Sequence, residues 1–157
     1  MDQEFIEVIQ ELLDSDAVQQ LKKFQHHKHG TRFDHSLYVS YRSYQMAKQL
    51  GCDAVAAARG GLLHDLFFYD WRDKDPERGW HVTEHPRRAL EEASRLFDLT
   101  EKEQDIIVKH MWPLSPWMPK YRESFIVSMM DKYCAVMEGL VLGQRKLRTL
   151  GLAYLTA

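Results

Sequence analysis

Histidine and aspartate stand side by side in an otherwise almost wholly apolar run, GLLHDLFFYD at 61–70. Burying a carboxylate in such a run without a partner costs several kcal/mol, and a metal ion or a cationic neighbour is the usual remedy. Four further segments offer suitable side chains. His35 lies one turn before Tyr38 and Val39, and His85 falls immediately before Pro86. His110 shares a helical face with Ile106 and Ile107, and Asp131 stacks with the small residues Ser128 and Ala135, which leave room for another group to approach. Five segments thus each present one or two metal-competent side chains on a face expected to point inward. Imidazole nitrogen with carboxylate oxygen suits iron, manganese, cobalt, nickel or zinc. One aspartate has two oxygens and can bridge two ions, which a histidine cannot. Adjacent His64 and Asp65 point about 100° apart on a helix, yet their unequal lengths let both reach one ion. His81, four residues before His85, competes for the same role.

These residues need helices to position them, and the pattern is helical nearly everywhere. Residues 4–13 place apolar side chains at helical intervals. Thr31 and Asp34 signal the start of a helix reaching about Leu50, with Gly51 as its stop. A third helix is expected from near Asp53 to about Phe68, apolar on all sides and therefore central. Residues 69–84 contain Pro76 and Gly79 and predict a loop; Pro86 then suits a first helical turn, with His85 as N-cap. Thr100 and Glu103 form a capping-box pattern ahead of Ile106 and His110. MWPLSPWMPKY carries three prolines and is expected to be irregular, and a last helix spans about 121–141. The expectation is one all-α domain over residues 1–157, a bundle of about six to seven helices with its core at 30–140.

Composition narrows the function. With 157 residues and a 45% hydrophobic content the chain can bury a substantial core. A net charge of −2 gives no global attraction to nucleic acid or an anionic membrane, so neither is expected as a partner. The basic Arg145, Lys146 and Arg148 are too few to argue otherwise. Two cysteines, Cys52 and Cys134, fit a reducing compartment. No signal peptide or spanning segment is read, so a cytoplasmic location is expected.

The order His35, His64-Asp65, His85, His110, Asp131 resembles the HD-domain superfamily of metal-dependent phosphohydrolases over about residues 30–140. The segments match locally too: TRFDHSLYVS resembles the first-histidine helix, GLLHDL the namesake helix, EHPRRA the His-Pro helix start and MMDKYCA the closing aspartate helix. The resemblance implies that His35, His64, Asp65 and Asp131 hold one ion. His85 and His110 resemble the added histidines of the two-metal branch, in which Asp65 would bridge. It further implies a binuclear centre with His64 and Asp65 as its catalytic residues, acidifying a water from a pKa of about 15.7 toward about 7. The sequence departs from several subfamilies: there is no Gly-Tyr-Pro signature, and Phe68 stands where a substrate-holding lysine is common.

Five residues were candidates to hold substrate: Lys28, His29 and Arg32 in KKFQHHKHGTR at 22–32, and Lys109 and Lys132 beside proposed ligands. For the first group the plain alternative is a solvated loop; for the lysines it is divergence from the ligands next to them. The expected activity is hydrolysis of a small phosphate ester, with nucleotides among the candidates and a second copy of the chain left open as a partner. Two alternatives stand beside it: a di-iron oxygenase of the same fold cleaving C–C or C–P bonds, and a non-catalytic nucleotide-binding module.

Overall fold

Capping and burial explain the helices that form. The computed structural model describes residues 2–26, 30–70, 72 and 79–139, and these form seven α-helices. They are α1 (Gln3–Leu13), α2 (Asp16–Gln20), α3 (Arg32–Gln49), α4 (Ala54–Leu63), α5 (His81–Leu96), α6 (Glu101–Lys109) and α7 (Arg122–Gly139). A short 3-10 turn, Leu21–Lys23, follows α2. On α1, Phe5, Ile9, Leu12 and Leu13 recur at helical spacing and are all buried. Helix α2 was not legible from periodicity, since five residues carry too little pattern; Ser15 starts it by accepting the Val18 N–H.

The longer helices begin where capping residues dictate. Thr31 accepts the Asp34 N–H while the Asp34 carboxylate accepts the Thr31 N–H, and Thr100 with Glu103 repeats the arrangement on α6. Gly51 ends the turn after α3 at φ +62°, a conformation that costs a residue with a Cβ.

Two expected boundaries are corrected. Helix α4 stops at Leu63 rather than Phe68, with His64 as its C-cap. The cause lies in α3: the Arg32 guanidinium donates to the carbonyls of Phe67 and Tyr69, which a continuing helix would have turned along its own axis. Helix α5 begins at His81, not at Pro86, because Trp80 takes the N-cap position and its carbonyl accepts the Thr83 and Glu84 N–H groups. His85 and Pro86 therefore lie inside α5.

Helix α4 is the centre of the packing. On one side Ala58, Leu62 and Leu63 join α1, α3 and α5 in a core with Phe5, Leu37 and Ala89. On the other, Ala56 and Ala57 join Val39, Ile106 and Val127 of α3, α6 and α7. Such contact on both sides needs small residues. A β-carbon on Gly61 would stand 3.0 Å from the Ser40 backbone, and one on Gly60 would stand 2.7 Å from Ile106. The end of α4 is thereby driven between α3, α6 and α7, and that is where the polar residues gather.

Candidate metal centre

The local structure aims the histidines before any metal is considered. His64 and His110 are the C-caps of α4 and α6, where the last-turn carbonyls lack helical partners. His64 Nδ1 lies 2.7 Å from the Gly61 carbonyl, and His110 Nδ1 lies 2.8 Å from that of Ile107. On α5, His85 Nδ1 lies 2.6 Å from the His81 carbonyl. A carbonyl only accepts, so each Nδ1 carries a proton and each ring turns its Nε2, the nitrogen left for a metal ion, the other way. Backbone carbonyls are the usual partners that fix metal-binding histidines in this tautomer.

The three Nε2 atoms converge on Asp65. Its Oδ1 lies 3.4 Å from His85 Nε2 and 3.7 Å from His110 Nε2, whereas its Oδ2 lies 3.8 Å from His64 Nε2. Asp131 of α7 closes the other side, with Oδ1 3.0 Å from His35 Nε2 and 3.7 Å from His64 Nε2. Two donors each about 2.1 Å from one ion stand roughly 3–4 Å apart, so these spacings fit shared ions. Among the described residues, His35, His64 and Asp131 form one potential metal group, and His64, Asp65 and His110 another.

Unmet polar atoms argue that a cation belongs there. His64 Nε2 and Asp65 Oδ1 are buried with no hydrogen-bond partner. His85 Nε2 and His110 Nε2 face each other at 2.9 Å. With both Nδ1 protons committed to carbonyls, that contact sets two lone pairs together unless a proton or metal ion lies between. Protonation is the harder remedy: burial pushes both rings below the ordinary histidine value, His110 well below it. The carboxylates go the same way. Burial alone would raise Asp65, but any positive charge taken up by the surrounding His64, His85, His110 and His26 rings holds it far below the usual carboxylate range. Asp131, also buried, is held well down by the hydrogen bond from His35 at 3.0 Å and by the Lys132 charge beside it. Burial thus favours neutral rings at His85 and His110 beside the ionised Asp65 and Asp131, the forms that bind divalent metals.

A cavity of about 300 Å³ opens beside the cluster. Phe67, Met111, Leu114 and Ala135 supply an apolar wall, while Arg32 and Lys132 bring positive charge to it. Arg32 is almost fully buried, stacked 3.6 Å from the Phe67 ring centroid, and its Nε has no partner. Lys132 Nζ lies 3.1 Å from Asp131 Oδ2 and donates to the His110 carbonyl. Lys109 is not brought to the cluster; it pairs with Asp105 at 2.6 Å and lines a separate hollow beside Trp117. Lys28 and His29 lie outside the described residues.

Between the competing histidines of α5, it is His85 whose Nε2 approaches Asp65. His81 stacks on His85 at 4.4 Å between centroids and meets the Tyr69 hydroxyl at 3.3 Å. One residue at the centre escaped the sequence reading altogether. His26 lines the cavity, with Nε2 3.8 Å from Asp65 Oδ2. It sits in a loop without periodicity, and its only sequence signal is a place in a histidine-rich stretch that reads equally well as solvated.

The described residues contain no helix long and apolar enough to cross a membrane. Neither a curated protein nor a solved structure gives a significant match to the chain. The HD domain profile matches residues 32–136, a span that holds all six residues of the His35-to-Asp131 series. The chain therefore belongs to the HD domain family, whose members are generally metal-dependent hydrolases.

Proposed function

We propose that the protein is a phosphohydrolase that uses two divalent ions to cleave a small phosphate ester. The observation that carries this reading is the division of Asp65. One of its oxygens faces His85 and His110 while the other faces His64, as expected of a carboxylate bridging two ions. His35, His64 and Asp131 would complete one side of the bridge, and His85 with His110 the other. Divalent ions so held would acidify a water and neutralise charge on the phosphate.

The chain's own residues would do the rest. Asp65 and Asp131 are both held below the ordinary carboxylate value, so neither would draw a proton from the reacting water. Arg32 lines the cavity with its Nε unpartnered and would offer positive charge to a phosphate, and Lys132 would add a point charge. Phe67, Met111 and Ala135 exclude water and would pack the carbon portion of the ester. A cavity of about 300 Å³ restricts that portion to something small, a mononucleotide at most.

The test is metal content per chain on anaerobically purified protein, together with phosphate release from a panel of monoesters, with Asp65→Ala alongside. About two ions per chain and metal-dependent phosphate release, both lost in the variant, are the expected results. A fully metallated protein inactive across the panel would overturn the hydrolase reading. Iron-specific, dioxygen-dependent turnover would assign the same donor set to oxygenase chemistry instead.

A further inference from the structure

His26 stands outside the His35-to-Asp131 series, yet the fold delivers it to the centre. The chain reverses between Phe24 and Arg32: Arg32 N–H donates to the Phe24 carbonyl at 2.8 Å, and His26 N–H to that of Gly30 at 3.1 Å. Gln25 and Thr31 pair as an isolated bridge, and Gly30 takes φ +103°, a left-handed conformation suited to glycine. The His26 ring lies flat on His35, with 3.9 Å between centroids and 17° between planes. Its side chain is only 12% exposed. From that position Nε2 reaches within 3.8 Å of Asp65 Oδ2, the oxygen turned away from His85 and His110. His26, His35 and Asp65 together form a third group whose donor atoms all lie within 4.8 Å of one another.

We infer that His26 is a further metal ligand, adding a donor to the ion held by His35, His64, Asp65 and Asp131. The inference rests on the metal reading above and makes the two halves of the centre unequal. The ion on the His35 side would gain five protein donors and be nearly enclosed. The ion on the side of His85 and His110 would have three, counting Asp65, and would keep open positions, as catalytic metal sites do. His85 and His110 both line the cavity, whereas His35 and His64 do not. The enclosed ion would therefore be the tightly retained one, and the open ion would be the one that receives substrate.

The test is metal affinity, not activity. Zinc or cobalt(II) is titrated into chelator-stripped wild type, His26→Phe and His26→Ala, in competition with a chromophoric chelator that resolves tight and weak binding. Phenylalanine keeps a ring to stack on His35 but has no nitrogen to donate, and the thermal midpoint of each metal-free variant checks that it folds. The tight class should weaken about 100-fold or more in both variants, at or beyond the roughly 10–100-fold cost of losing a merely supporting partner. The weak class should keep its affinity. A His26→Phe variant that binds both ions like wild type overturns the inference and leaves the metal reading standing; loss confined to the weak class overturns it too. Wild type that binds no divalent ion takes both readings down.

Discussion

Helix α4 can be prised from α6 with one methyl group. In Gly60→Ala the new β-carbon would stand 2.7 Å from Ile106 Cγ2, 2.9 Å from Cδ1 and 3.0 Å from Cβ. Comfortable carbon–carbon contact is about 3.5–4.0 Å. Rotating Ile106 can move the first two atoms but not its Cβ, which is fixed to the backbone, so the helices must part by roughly 0.5 Å. Ile106 is fully buried, so the shift must be taken up by its packed neighbours. Overpacking of this kind costs about 1–3 kcal/mol, and the upper end applies where a fixed atom is struck. Alanine returns about 1 kcal/mol of helix propensity over glycine, leaving a net loss of about 2 kcal/mol. For a chain of this length that lowers the midpoint of thermal unfolding by about 4–8 °C. Because α4 ends in His64 and α6 in His110, whose ring centroids are 4.8 Å apart, metal affinity should fall with it. Denaturant titration of metal-free protein reads the stability, with Ile106→Ala and the double variant completing a cycle. Ile106→Ala alone should cost about 2–5 kcal/mol. The double variant should exceed the additive expectation by more than about 1 kcal/mol, since truncation makes room for the methyl. A Gly60→Ala protein as stable as wild type, with an additive cycle, would refute the close-packing argument.

Three other perturbations test separate parts of the structure. Arg32→Lys should destabilise the fold by about 1–3 kcal/mol in denaturant titration, because an ammonium cannot span the Phe67 and Tyr69 carbonyls and one buried acceptor loses its partner. Asp105 tests pH dependence: burial pushes its carboxyl up, but Lys109, the Ser124 hydroxyl and the Lys120 amide hold it below the ordinary 3.8. A lowered folded value means its contribution is complete above 3.8 and fades as pH falls through the folded value, so Asp105→Asn should be less stable at pH 7 and the gap should close in strong acid. Metal at about 100 times its dissociation constant should add about 2.7 kcal/mol, raising the midpoint of chelator-stripped protein by roughly 5–11 °C. Asp65→Asn should lose most of that rise, and calorimetry with and without metal measures both.

What could be read from the sequence was what short-range chemistry decides. The starts of α3 and α6 are set by Thr31 with Asp34 and Thr100 with Glu103, residues three apart whose side chains and amides cap each other. His64, Asp65, His110 and Asp131 stood out because they interrupt apolar helical stretches, and His35 and His85 because they complete the motif order with them. Long-range contacts decided the rest. The end of α4 is imposed by Arg32, whose carbonyl partners are 35 and 37 residues away. Lys109 looked close to the centre because it adjoins His110, but one residue along a helix is a turn of about 100°, and Asp105 one turn back claims it. His26 carried no periodic signal, since a loop pinned by backbone bonds has none. The misplaced end of α4 matters most for the chemistry. Had the helix run on to Phe68, the Gly61 carbonyl would have accepted the Asp65 N–H as an ordinary rung of the helix. Ending it at Leu63 frees that carbonyl to take the His64 Nδ1 proton, and the end of α6 does the same for His110 through Ile107. Two helix termini, with their partial negative charge, thus both orient the imidazoles and favour a cation between them. The metal reading gains its physical cause from where these helices stop, and the motif order alone does not contain that information.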